Sequence, residues 1–216
     1  MQLYRTMTEI ATRSLREAIF KGTLAPGQRL IPAKLESEMA LGRVAIREAM
    51  RELSGSGLVE AIPNKGTLVA FPPTLDEIKE IYKVRYLIEG KAAIRGAERI
   101  DAEDLRRMEA LHKEMSDDSL PSIDYFLPNQ EFHFILYKAS GWHYLIKLIT
   151  HLWDHVLAFR SSHHCTLGDT TVFNREHEQI LEAIKSGDSK RVGRCLKGNM
   201  QSGLNQILNT LSRVPT

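Results

Sequence analysis

Three arginines, Arg43, Arg47 and Arg51, recur every four residues in "GRVAIREAMREL", with Ile46, Ala49, Met50 and Leu53 between them. At about 100° per residue the guanidinium groups form one stripe of a helix, and the apolar side chains form a second stripe beside it. Cations on one side and a buried seam on the other suit a helix that enters a nucleic-acid groove. The alternative is a solvated helix whose arginines pair with Glu48 and Glu52.

A second set of polar residues interrupts apolar helical patterns farther along. Arg85 lies on the line Ile78, Ile81, Ile88, Ala92, while Asn129 and His133 share a line with Phe126, Leu136 and Tyr137. His177 falls between Phe173 and Ile180, and Asn199 follows Val192, Cys195 and Leu196. Burying such groups without partners is unfavourable. Each alone reads as a satisfied core residue, with Arg85 paired to Glu89 one turn on. Four helices sharing the trait point instead to one polar cavity that holds a small molecule.

Other chemistry is less well supported. His151 and His155 have zinc-compatible i,i+4 spacing, but Leu152 stands where the zincin pattern requires Glu. Ser161-Ser162-His163-His164 falls in an expected loop without an orienting carboxylate. A metal-assisted hydrolase or isomerase using His133 and His177 is the competing reading; turnover that survives removal of residues 1–72 would distinguish it.

The elements that must position these groups divide in two. The 216 residues are 43% hydrophobic and 26% charged, enough for two small domains. The net charge of +2 is uneven: residues 1–72 hold ten Lys and Arg against seven Glu (+3), and the remainder nineteen against twenty (−1). All eight histidines lie in the second part. Cys165 and Cys195 do not make a disulfide framework, and neither a signal-peptide core nor a membrane-length apolar run is present. A soluble, cytoplasmic protein is expected.

In residues 1–72, "TMTE" opens a first helix with a capping box, "AKLESEMA" makes a short second helix, and the arginine helix ends at "SGSG". Two β-prone runs, "LVEAI" and "TLVAF", flank "PNKG", a hairpin with Lys65 at its tip. Three helices and a basic hairpin are the parts of a winged helix-turn-helix, whose last helix lies in the major groove. Residues 73–216 follow a "FPPT" linker; with no credible strand they predict an all-α bundle of about six antiparallel helices. The fold class is therefore mainly α.

"LREAIFKGTLAPGQRL", "GRVAIREAMREL" and "GLVEAIPNKGTLV" closely resemble the GntR family of bacterial transcription regulators. The family's usual Ser-Arg-x-Pro-Val-Arg-Glu-Ala-Leu reads here from Gly42 to Met50, keeping both arginines. The resemblance implies that Arg43 and Arg47 contact the major groove and that Gly66 is the wing-tip glycine; Arg51 on the same stripe, Lys65 at the hairpin tip and Lys34 on the second helix are further DNA-binding candidates. Gly42 replaces the usual Ser, Ala45 the Pro, and Ala33 beside Lys34 an arginine of the second helix.

"IYKVRYLIEGKAAIRGA", "NQEFHFILYKASG" and "EHEQILEAIKSGD" resemble the effector domain of the FadR subfamily, in its FCD branch. That branch implies a divalent metal held by Asp-x-x-x-His and two later histidines, beside a carboxylate effector. Mapped by motif, the four positions are Asn129, His133, His177 and Asn199. Two are amides, poor ligands for a transition metal, so Zn, Mn or Ni would be weakly held by His133 and His177. Arg85 would then clamp the effector's carboxylate, with Asn129, His133, His177 and Asn199 around it. The expectation is a homodimeric repressor of a palindromic operator, controlled by a small carboxylate, with no membrane partner.

Overall fold

The computed structural model describes residues 6–117, 120, 124–163, 165 and 170–212. They form two compact units: Met1–Leu75 with Trp153–His164, and Asp76–Leu152 with Cys165–Thr216.

The first unit begins with α1 (Met7–Phe20). The Thr6 hydroxyl accepts from the Glu9 backbone N–H at 3.1 Å, and the Glu9 carboxylate accepts from the Thr6 N–H at 2.7 Å. This is the expected capping box, which satisfies two N–H groups that the first turn leaves without helical partners. β1 (Arg29–Leu30) precedes α2 (Pro32–Met39), where proline takes the first helical position. Ala40, in the left-handed region at φ 52°, makes the turn into α3 (Arg43–Gly55). Ile46, Ala49 and Leu53 of α3 are fully buried and α1 packs against them, its own Ala11 and Leu15 equally buried. Thr12 of α1 donates to the Glu52 carboxylate at 2.9 Å, adding a polar tie between the two helices.

β2 (Val59–Ile62) and β3 (Gly66–Val69) form the hairpin, and β1 pairs with the far edge of β3 to give the antiparallel order β1-β3-β2. The registers are Ile62↔Gly66 and Leu30↔Thr67. The sequence pattern contains the hairpin but not β1, because two residues are too short to display strand alternation.

The second unit is helical: α4 (Leu75–Ala97), α5 (Ala102–Met115), α6 (Phe126–Ala139), the first half of α7 (His143–Ser162), α8 (Thr171–Lys185) and α9 (Ser189–Ser212). Asp101 caps α5 by accepting from the Asp104 N–H at 2.8 Å. Met108, Phe132, Leu136, Ile180, Val192 and Leu196 fill the core, all fully buried. Ser161 and Ser162, expected in a loop, form the last turn of α7 instead. His164, and Pro121–Ile123 of the separator between α5 and α6, lie outside the described residues.

Small residues bring α4 close to its neighbours. A Cβ on Gly96 would collide with the backbone carbonyl of Leu136 on α6, and one on Gly193 would lie 2.8 Å from Cγ1 of Ile94. The carbonyl cannot rotate aside as a side chain can. Gly96→Ala should therefore lower stability by about 3 kcal/mol, the upper end for overpacking, because α4 and α6 must move apart. Urea denaturation measures it. Gly193→Ala, opposed by a movable side chain, should lose less.

Candidate functional site

The first candidate surface is the outer side of α3. Arg43, Arg47 and Arg51 are all exposed, and the adjoining apolar stripe is buried, as their spacing requires. Arg43 Nε donates to Glu36 at 2.8 Å, and Arg51 Nη1 to Glu48 at 3.2 Å. Both pairs are solvent-exposed and worth little, so each arginine can be taken over by a phosphate or base. Among the described residues Arg47 has no ion-pair partner. Lys34 is exposed on α2, 3.5 Å from Glu38.

Lys65 and Gly66 are exposed at the hairpin tip. The positive φ needed there is shared by Asn64 at 65° and Gly66 at 86°. A Cβ on Gly66 would lie 3.2 Å from Arg29 Nε, so the guanidinium of β1 lies beside the tip glycine. Arg29 is a cation that sequence reasoning did not single out, since only the pairing of β1 with β3 brings it there.

The second candidate site lies inside the helical unit and is built in two linked parts. Arg85 and Glu89, one turn apart on α4, are 4% and 0% exposed. Arg85 Nε donates to one carboxylate oxygen at 2.5 Å and Nη2 to the other at 3.3 Å. The Tyr137 hydroxyl of α6 donates to Glu89 at 2.7 Å. Burial opposes charge on Arg85, but Glu89, Tyr82 and Tyr137 override it and hold the guanidinium protonated. Burial and the Glu89 charge push the Tyr137 hydroxyl well above the usual phenol range.

The second part is a histidine pair. Nε2 of His133 on α6 and Nε2 of His177 on α8 are 3.3 Å apart, and both rings are buried. Burial, then the Arg85 charge, lowers His133 to about 3, partly offset by a hydrogen bond with Asn199. Burial and the neighbouring His133 and His112 hold His177 well below its usual value. Asn199 of α9 donates to Glu176 at 3.0 Å, and Ser202 donates to the other oxygen of Glu176 at 2.6 Å. Tyr125 donates to Asn174 at 2.9 Å, with its oxygen 3.5 Å from His177 Nδ1.

Arg85, His133, His177 and Asn199 thus lie in one interior region of the helical unit. Asn129 is half-buried one turn before His133 and hydrogen-bonds none of them. Glu176, Ser202, Tyr125 and Asn174 complete the cluster without any signal in the periodicity. Glu89 was legible only as the i+4 neighbour of Arg85.

These residues do not fit a metal. Among the described residues no group of three or more His, Cys, Asp or Glu is placed to hold an ion. Two imidazole nitrogens, with the neutral amides Asn129 and Asn199 at the other two positions, are a weak donor set for a transition metal.

The neutral pair has a pH signature. In the unfolded chain each ring titrates near 6.5, so below that pH the unfolded state binds more protons than the folded one. The pair's contribution to stability is complete above about pH 6.5 and falls as pH drops towards about 3, the folded value of His133. The slope should be about 1.4 kcal/mol per pH unit for each ring. Urea midpoints between about pH 7 and about pH 5 read it out, and the His133→Phe, His177→Phe double variant should have a flatter profile.

The pattern described as "Bacterial regulatory proteins, gntR family" matches residues 8–69, and that of the FCD domain matches residues 80–202. The chain belongs to the GntR family. Its FCD domain fits the FadR subfamily. This GntR-family chain is 30% identical over 179 residues to the HTH-type transcriptional regulator YdhC of Bacillus subtilis (strain 168), covering 79% of this chain and 77% of that protein. It is 30% identical to the HTH-type transcriptional repressor GlaR of Escherichia coli (strain K12), covering 87% of this chain and 90% of GlaR. The solved structure of E. coli McbR/YncC shares the fold with a TM-score of 0.80 at 20% identity, over 96% of this chain and 99% of that one. The relatives are transcription regulators, not enzymes, and this chain is a DNA-binding transcription regulator with an effector-binding domain. Among the described residues no helix is long and apolar enough to cross a membrane.

Proposed function

We propose that this GntR-family regulator is a cytoplasmic homodimeric repressor that releases a palindromic operator when a small carboxylate binds its helical domain. Residues 1–72 read DNA through Arg43, Arg47, Arg51, Lys34, Lys65 and Gly66, and residues 73–216 sense the effector and dimerise. The name of the relative GlaR supports the repressor assignment. The observation that carries the effector class is the buried guanidinium of Arg85, held by Glu89 and Tyr82 and close enough to the neutral His133 to lower that ring's basicity. A guanidinium has five N–H donors, and one bidentate carboxylate engages two of them. An effector carboxylate would join or replace Glu89 on Arg85, with His133, His177, Asn129 and Asn199 binding its remaining polar groups. Release of the operator requires that the effector bind one arrangement of the dimer better than the other.

The test is thermal unfolding of the full chain against a panel of small carboxylates, each alone, with Zn²⁺ or Mn²⁺, and after chelation. A ligand of the native state raises the melting temperature by mass action. The expected result is a shift that is indifferent to chelator and absent from a variant combining Arg85→Met, Glu89→Leu and Tyr137→Phe. A shift that needs metal would overturn the metal-free reading, and a shift retained by the triple variant would overturn the Arg85 clamp.

A further inference from the structure

One apolar side chain stands on the exposed side of α3. Val44 is 76% exposed, whereas Ile46, two residues on, is 0% exposed. The other exposed side chains of this helix are Arg43, Arg47, Arg51, Glu52 and Ser54. Around the helix axis Val44 lies about 60° from Arg47 and about 20° from Arg51, so it borders the arginine stripe. Valine brings little helix propensity to this position, and nothing in its own unit buries it. A solitary exposed apolar residue is ordinary on a general protein surface. This one occupies the second position of the reading helix, and in helix-turn-helix proteins the N-terminal residues of that helix face the base edges.

The major groove presents hydrogen-bond donors and acceptors at every base pair, and a single kind of apolar group, the C5-methyl of thymine. A valine held against a donor or acceptor would strip it of water and offer nothing in return. Against a thymine methyl it buries apolar surface on both sides. We propose that Val44 reads a thymine methyl in each half-site, beside the base edge engaged by Arg47. The inference rests on α3 being the DNA-reading helix. It adds a thymine-specific contact to the guanine preference that arginine supplies.

The test starts from a randomised pool of duplexes, so the operator need not be known. The full chain selects duplexes from the pool, and the enriched duplex is resynthesised with deoxyuridine at each thymidine in turn. Uracil keeps the hydrogen-bonding edge and lacks only the methyl. One position per half-site should weaken binding by about fourfold, the worth of one buried methyl-sized group. Val44→Ser should be indifferent to uracil there while melting at the wild-type temperature, and Val44→Asn should move the pool's preference at that position from thymine to adenine. An enriched duplex in which no uracil matters, or a Val44→Ser protein that keeps the uracil penalty, overturns the Val44 contact alone. A wild-type selection that enriches no sequence overturns the assignment of α3 as the reading helix, and the Val44 contact with it.

Discussion

Arg47→Ala is expected to weaken binding to the selected duplex by about 5- to 150-fold per half-site, the 1–3 kcal/mol of one bidentate arginine–guanine contact. The melting temperature should not change. Arg47 is exposed and makes no ion pair among the described residues, so its removal takes nothing from the fold. The neighbouring arginines differ in this respect. Arg43 pairs with Glu36 and Arg51 with Glu48, both exposed and weak, so the exchange of partners should lower their net contribution by no more than about 1 kcal/mol each. Electrophoretic mobility shifts with all three alanine variants, at one stated salt concentration, give the ranking. Binding that is unchanged in Arg47→Ala would remove α3 from the interface. Equal losses at all three positions would mean that the arginines act as a sheet of charge, and the salt dependence of binding would fall equally in each.

Arg85→Ala should have the largest effect on stability, a loss of about 3–5 kcal/mol. The substitution leaves the Glu89 carboxyl buried without its cation, although the Tyr137 hydroxyl still reaches it. Glu89→Leu alone fails for the opposite reason, since it strands the guanidinium. Removing the whole polar set with Arg85→Met, Glu89→Leu and Tyr137→Phe should recover most of the loss, because no charge or hydroxyl is left to desolvate. Urea denaturation of the single and combined variants forms the cycle. If Arg85→Ala were as stable as wild type, the pair would be hydrated in solution and the interior less closed than its burial indicates. The same logic explains why a ligand experiment on Arg85→Ala alone would mislead, as a partly unfolded protein also fails to respond.

Several features were legible in the residues themselves. The capping box of Thr6 and Glu9, the buried face of α3, the hairpin and the helical character of the second unit's described residues all depend on neighbours within a few positions. Local geometry repeats with a fixed period, so pattern is enough to determine it. The same periodicity marked Arg85, His133, His177 and Asn199 as polar residues on inward-facing lines.

Only the tertiary structure decided what those residues touch. Arg85 could have faced empty space, but it lies on Glu89, and Tyr137 of another helix completes the pair. His133 and His177, forty-four positions apart, meet at 3.3 Å because α6 and α8 bring them together. Glu176 became a member of the cluster, and Asn129 did not bond to it, through the azimuth of each helix about its own axis. Arg29 reached the wing tip through the pairing of a two-residue strand. Contacts between distant segments depend on how helices rotate and strands register during packing, and no period within one segment encodes that choice. The amino-acid sequence by itself determined which side of α3 is buried and that its arginines face outward; packing decided which buried polar groups neutralise one another.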